Sequence, residues 1–63
     1  MENRLKEILN DRGIKYGWLA KQVGVRRNTI TDLMKGQTPS LSLAYRIADA
    51  LGLSVYDIWE KEN

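Results

Sequence analysis

The segment LAKQVGVRRNTITDLMKG, from Leu19 to Gly36, restricts the possible folds of this chain more than any other. Leu19 and Val23 stand four apart and share one face of a helix. Gly24 follows and tolerates the left-handed backbone that ends a helix, after which Val25 plugs the corner. Ile30 and Leu33 form the buried side of a second helix, and Ala20 leaves room for the two helices to cross closely. The outward side of the second helix is left with Arg27, Asn28, Thr31 and Asp32, with Arg26 at its start. Two short helices joined by a sharp turn, the second with a polar and basic outer face, have the layout that offers a helix to a DNA groove.

The rest of the chain continues in the same style. A first helix is expected from about Glu2 to Arg12, with Leu5, Ile8 and Leu9 inward and Gly13 at its end. Ile14 packs as the chain turns into helix two, about Tyr16 to Val23, and helix three spans about Arg26 to Lys35. The GQTP loop holds the only proline, and Ser40 is placed to cap a fourth helix with Leu41, Ala44, Ile47, Ala48 and Leu51 inward and Gly52 at its end. Ser54 caps a short last helix, with Asp57 three positions on in a capping-box arrangement and Val55 and Ile58 inward. The expectation is an all-α bundle of five short helices, a single domain over residues 1–63.

Composition narrows the chemistry. The chain has no cysteine and no histidine, which removes disulfides, thiolate and imidazole metal sites, cysteine nucleophiles and histidine acid–base catalysis. Carboxylates are not clustered, so neither an enzyme, a metal site nor a cofactor is expected. A domain this small buries only roughly 60% of its unfolded surface, so its helices must pack economically. No long apolar run and no signal-like start occur, which points to a cytoplasmic protein with no membrane partner. The net charge of +2 is unevenly divided. Residues 1–36 carry eight basic and four acidic side chains, residues 37–63 two basic and four acidic, so a basic half holds the polar helix and an acidic half backs it.

The segment from Tyr16 to Lys35 resembles the helix-turn-helix of the phage-repressor-like DNA-binding proteins of lambda repressor and Cro type. The resemblance extends to RLKEILNDRG, similar to that family's first helix, and to SLSLAYRIADALGLSVYDIW, similar to its fourth and fifth. It implies a sequence-specific regulator of transcription that binds double-stranded DNA. Arg27 and Asn28 fall at family positions that commonly contact bases. Arg27 suits the O6 and N7 of guanine, and Asn28 the N6 and N7 of adenine. Thr31 offers a methyl to thymine or a hydroxyl to a base edge, and Asp32 accepts from cytosine N4 or pairs with Arg26 or Arg27.

Departures from the family pattern are informative. Where relatives usually open helices two and three with Ser or Thr, this chain has Lys15 and Arg26. A cation there opposes the helix dipole and leaves N–H groups uncapped, costs that shrink when a DNA phosphate occupies that end. Lys15, Tyr16, Gly17 and Arg26 are accordingly expected to clamp the DNA backbone, with Lys35, Gln37 and Ser42 as the opposite jaw. Tyr16 stands where the family often has a phosphate-binding Gln. Met34 stands where it often has a Glu paired to helix one, so an apolar contact replaces an ion pair. Trp18 takes a usually charged position.

Many relatives pair through helix five across a two-fold axis, and Tyr56 and Trp59 are expected at its exposed edge, rimmed by Glu60 and Lys61, as dimer contacts. The implied function is a repressor binding an inverted repeat as a homodimer, in a bacterial or phage-encoded setting, with no room for a sensing domain. An acidic surface at Asp49, Asp57 and Glu60 offers a contact to polymerase, which leaves activation open, and an antirepressor-type protein is the other expected protein partner. The alternative is a protein-interaction module, an antitoxin or adaptor on the same fold, whose DNA binding would depend weakly on salt.

Overall fold

The computed structural model describes residues 3–59. Five helices follow one another: α1 (Leu5–Arg12), α2 (Tyr16–Val23), α3 (Arg27–Met34), α4 (Leu41–Leu51) and α5 (Val55–Ile58). α3 packs against α2 and α1, and α4 against α2 and α5. Their inward side chains form one core in which Leu5, Leu9, Leu19, Ile30, Leu33, Ile47 and Ile58 are fully buried.

The turn between α2 and α3 has a defined geometry. Gly24 adopts φ 77°, ψ 33°, left-handed backbone that a side chain disfavours. That conformation lets the Val25 N–H donate to the Ala20 carbonyl at 2.9 Å and swings the Val25 side chain back onto the core. α1 and α4 end on the same device. Ile14 N–H donates to Leu9 O at 2.8 Å and Leu53 N–H to Ala48 O at 2.9 Å, and both side chains pack on the core like Val25. The sequence pair Gly plus aliphatic thus ends three helices in one way.

Two arginines tie helix ends together. Arg12 donates to Leu51 O at 2.6 Å, and Arg46 to Val23 O at 2.8 Å. Each guanidinium meets carbonyls at the negative end of a neighbouring helix, where a cation is favoured. Arg12 therefore serves the fold, although it counts toward the basic half of the sequence.

The structure corrects three expectations. α1 starts at Leu5, not near Glu2, because Asn3 is held elsewhere: its Oδ1 accepts from Leu5 N–H at 3.1 Å, and its Nδ2 donates to Leu33 O at 2.6 Å. In α4 the side chain turned inward from the first turn is Leu43, 8% exposed, and Leu41 is 70% exposed. Ser40 sets the phase: its Oγ accepts from Leu43 N–H, so the buried stripe runs Leu43, Ala44, Ile47, Ala48, Leu51. Trp59, expected at an exposed edge, is buried at 3% exposure. The chain leaves α5 at Trp59 with extended backbone and pairs antiparallel with Asn3, while Arg4 N–H donates to Ile58 O at 2.8 Å. That pairing folds the indole into the core, and Trp59 Nε1 finds no acceptor among the described residues. Glu60 and Lys61, its expected rim, lie outside the described residues.

Candidate nucleic-acid interface

α3 buries Ile30 and Leu33 and leaves Arg27, Asn28 and Asp32 exposed, as the helical spacing expects. Thr31 is half-buried, and its hydroxyl donates to Arg27 O at 3.2 Å. The proton is thus used within the helix, and what Thr31 presents outward is its methyl group and an oxygen that accepts. Asp32 makes no ion pair among the described residues, so neither Arg26 nor Arg27 neutralises it. Its backbone carbonyl accepts from Lys35 N–H at 3.1 Å and Gln37 N–H at 3.2 Å, which folds the following loop back over the end of α3.

The starts of α2 and α3 are alike. Lys15 and Arg26 occupy the N-cap positions with extended backbone, ψ 140° and 152°, and neither side chain caps its helix. In α3 the Thr29 N–H donates to Arg26 O at 3.0 Å, and the donors ahead of it, like those at the start of α2, meet no side-chain cap and are left for water or an anion. The start of α2 meets one residue of α3: Lys15, Tyr16, Gly17, Trp18 and Arg27 line one open depression. Arg27 is thereby brought beside the first turn of α2, which unites part of the expected base-reading set with part of the expected backbone clamp. Tyr16 is half-buried against the core, and its hydroxyl donates to Asn10 Oδ1 at 3.4 Å, at the limit of a hydrogen bond.

Gly17 has no conformational need to be glycine. It lies in the helix without positive φ, and a Cβ there would meet nothing within 4 Å. Glycine within a helix costs roughly 0.5–1 kcal/mol relative to alanine. The internal packing of the fold gives no return for that cost.

The opposite jaw is looser. Lys35 caps the end of α3, Gln37 follows in the loop and Ser42 stands on the first turn of α4, all exposed. No hydrogen bond joins these three among the described residues. Met34 is half-buried and packed on the core, an apolar contact where the family often has an ion pair. Of the two expected dimer residues only Tyr56 is exposed, at 77%. It shares a depression with Leu41, Tyr45, Asp49, Leu53, Ser54 and Val55, far richer in exposed apolar surface than the sequence suggested, because Leu41 was assigned to the core. Trp18 is the residue that the sequence flagged without a role: it is 49% exposed and stands inside the basic depression.

A family model described as a Cro/C1-type HTH DNA-binding domain matches residues 4–62. An uncharacterized HTH-type transcriptional regulator of Archaeoglobus fulgidus is 43% identical, covering 97% of this chain and 99% of the relative. A second such regulator, from Methanocaldococcus jannaschii, is 39% identical over 100% of the chain and 97% of its own length. The uncharacterized regulator YgzD of Bacillus subtilis is 36% identical over the full length of both. These relatives span archaea and a bacterium and agree on one domain type, in which α2 and α3 form the helix-turn-helix. The chain belongs to the family of Cro/C1-type helix-turn-helix DNA-binding domains, whose matched relatives are named as transcriptional regulators.

Proposed function

We propose that this protein is a sequence-specific regulator that inserts α3 into the major groove of duplex DNA and represses transcription by occupying promoter sites. The observation that carries this is the meeting of the uncapped start of α2 with Arg27, the first residue of the equally uncapped α3, in one basic depression. Arg27 and Asn28 read bases, with the Thr31 methyl and the unpaired Asp32 carboxylate completing the reading face. Lys15, Tyr16, Gly17 and Arg26 hold one stretch of backbone, and Lys35, Gln37 and Ser42 the other. Phosphates accepting from the first-turn N–H groups of α2 and α3 supply the caps that the side chains do not.

The protein acts as a homodimer on an inverted repeat. Tyr56 at 77%, Leu41 at 70% and Tyr45 at 61% exposure make an apolar patch on α4 and α5, which supports an isologous contact there. Trp59 has no part in it, being in the core. Half-sites about 34 Å apart require each α3 to stand roughly 17 Å from the two-fold axis, within reach of a domain 32 Å long. Tyr56→Ala is expected to lower the dimer fraction in sedimentation while the thermal melt of the fold stays in place; an unchanged oligomer would exclude Tyr56 from the contact.

Selection from random duplex DNA at two salt concentrations tests the whole proposal. The expected result is a palindromic site whose affinity falls steeply with salt, about 0.9 in logarithmic slope per phosphate contact. Recovery of no preferred sequence would overturn sequence-specific regulation and favour the protein-interaction module.

A further inference from the structure

The structure assigns Trp18 to the DNA interface: we propose that its indole lies against a deoxyribose of the strand whose phosphates occupy the start of α2. This rests on the DNA-binding function proposed above and adds an apolar contact to it. Trp18 follows the helix cap by three positions, next to Leu19, yet it is turned away from the core: Leu19 is fully buried and Trp18 is 49% exposed. Its surroundings are cationic. It lines the depression shared by Lys15, Gly17 and Arg27, and also one with Gly13, Ile14 and Lys15, so the indole borders two hollows. The other large exposed apolar side chains, Leu41, Tyr45 and Tyr56, share a separate depression on α4 and α5, so Trp18 is no extension of that patch.

Lysine is depleted from the core of protein interfaces, and Lys15 stands beside the indole in both hollows. The same mixture fits a nucleic-acid backbone, where anionic phosphates alternate with apolar sugar faces. Cations and first-turn N–H groups take the phosphates, and the ring covers the sugar between them. The contact is to the backbone, so it adds affinity for duplex DNA of any sequence. The indole N–H is a further donor toward a phosphate oxygen.

The test uses the two tryptophans as they stand, since Trp59 at 3% exposure is shielded from a neutral quencher and Trp18 is not. Acrylamide quenching of the wild-type chain is measured with and without the duplex returned by selection, or with mixed-sequence duplex at low salt where selection returns none. Bound DNA is expected to protect the quenchable tryptophan. Trp18→Gln is expected to weaken duplex binding about tenfold, in line with losing one partly covered aromatic face, with an unchanged salt slope because no charge is removed. Trp18→Phe is expected to recover most of that loss. Circular dichroism and the thermal melt check that both variants keep the fold. Trp18 remaining quenchable in a complex that the wild type does form, or Trp18→Gln binding as tightly as wild type, overturns the sugar contact and leaves DNA binding standing. Wild-type protein that binds no duplex at low salt overturns both.

Discussion

The first turns of α2 and α3 follow Lys15 and Arg26, which provide no capping acceptor, whereas those of α4 and α5 follow Ser40 and Ser54, which do. All four helices need partners for their leading N–H groups. In α4 the Ser40 Oγ accepts from Leu43 N–H at 3.2 Å, and in α5 Ser54 and Asp57 complete a reciprocal box at 2.9 and 3.3 Å. The chain therefore completes its helix ends by itself on one side of the molecule and leaves them incomplete on the other. The incomplete side also holds the unneeded glycine, the exposed tryptophan and Arg27. Uncapped first turns and a glycine that packing does not require thus coincide on one side of the molecule.

This contrast predicts opposite responses from the two sides. Arg27→Ala has the largest effect and falls on binding alone: specific affinity drops by about 1–3 kcal/mol and the base preference relaxes at one operator position, with the thermal melt unchanged. Selection returning the wild-type motif from that variant would remove Arg27 from the reading face. On the capped side, Ser40→Ala is expected to destabilise the fold by about 1 kcal/mol in urea unfolding while changing duplex affinity little. Gly17→Ala separates the two properties most sharply. It should raise stability by roughly 0.5–1 kcal/mol, since nothing obstructs the added methyl, and should weaken DNA binding. A variant that is both more stable and equally tight would show that no ligand approaches that turn.

The smallest effect lies in the α5 box. Hydrogen bonds from the Ser54 backbone N–H, then from its hydroxyl, hold the Asp57 carboxyl below its ordinary 3.8, with a lesser contribution from the charge of Arg4. A depressed folded value means that the contribution is present above the unfolded value and is lost as pH falls through the lowered one. Unfolding of the wild type and of Asp57→Asn, followed downward from above pH 3.8, should therefore converge in acid. Curves that stay parallel to the lowest pH would show that the carboxylate adds nothing to the box.

What the sequence made legible was local, and what it concealed was tertiary. Gly13, Gly24 and Gly52 announce helix ends through backbone freedom alone, and Ser40 and Ser54 announce starts through a side chain that reaches its own helix. The outward set Arg27, Asn28 and Asp32 follows from the positions of Ile30 and Leu33 by helical period. Trp59 was misplaced because its burial depends on Asn3, a residue at the far end of the chain that shows no periodic signal. Leu41 was misplaced for a subtler reason. Leu41 and Leu43 both fit an apolar stripe, and only the phase set at Ser40 decides between them. In the interface, Thr31 appeared as a free hydroxyl, but the helix carbonyl four residues before it takes that proton. The convergence of Arg27 with Lys15 and Gly17 depends on how α2 crosses α3, which spacing along the chain does not specify.

The bridge between Asn3 and Trp59 brings the beginning and the end of the described fold to a single seam. A polypeptide entering the domain there also leaves it there, and the seam reaches the helix-turn-helix as well, because Asn3 Nδ2 donates to Leu33 O on α3 at 2.6 Å. The fold therefore has the topology of an insertable cassette. It can be spliced into a surface loop of a host protein provided that the junction keeps Asn3 on Leu33 O, the bond that ties the seam to α3.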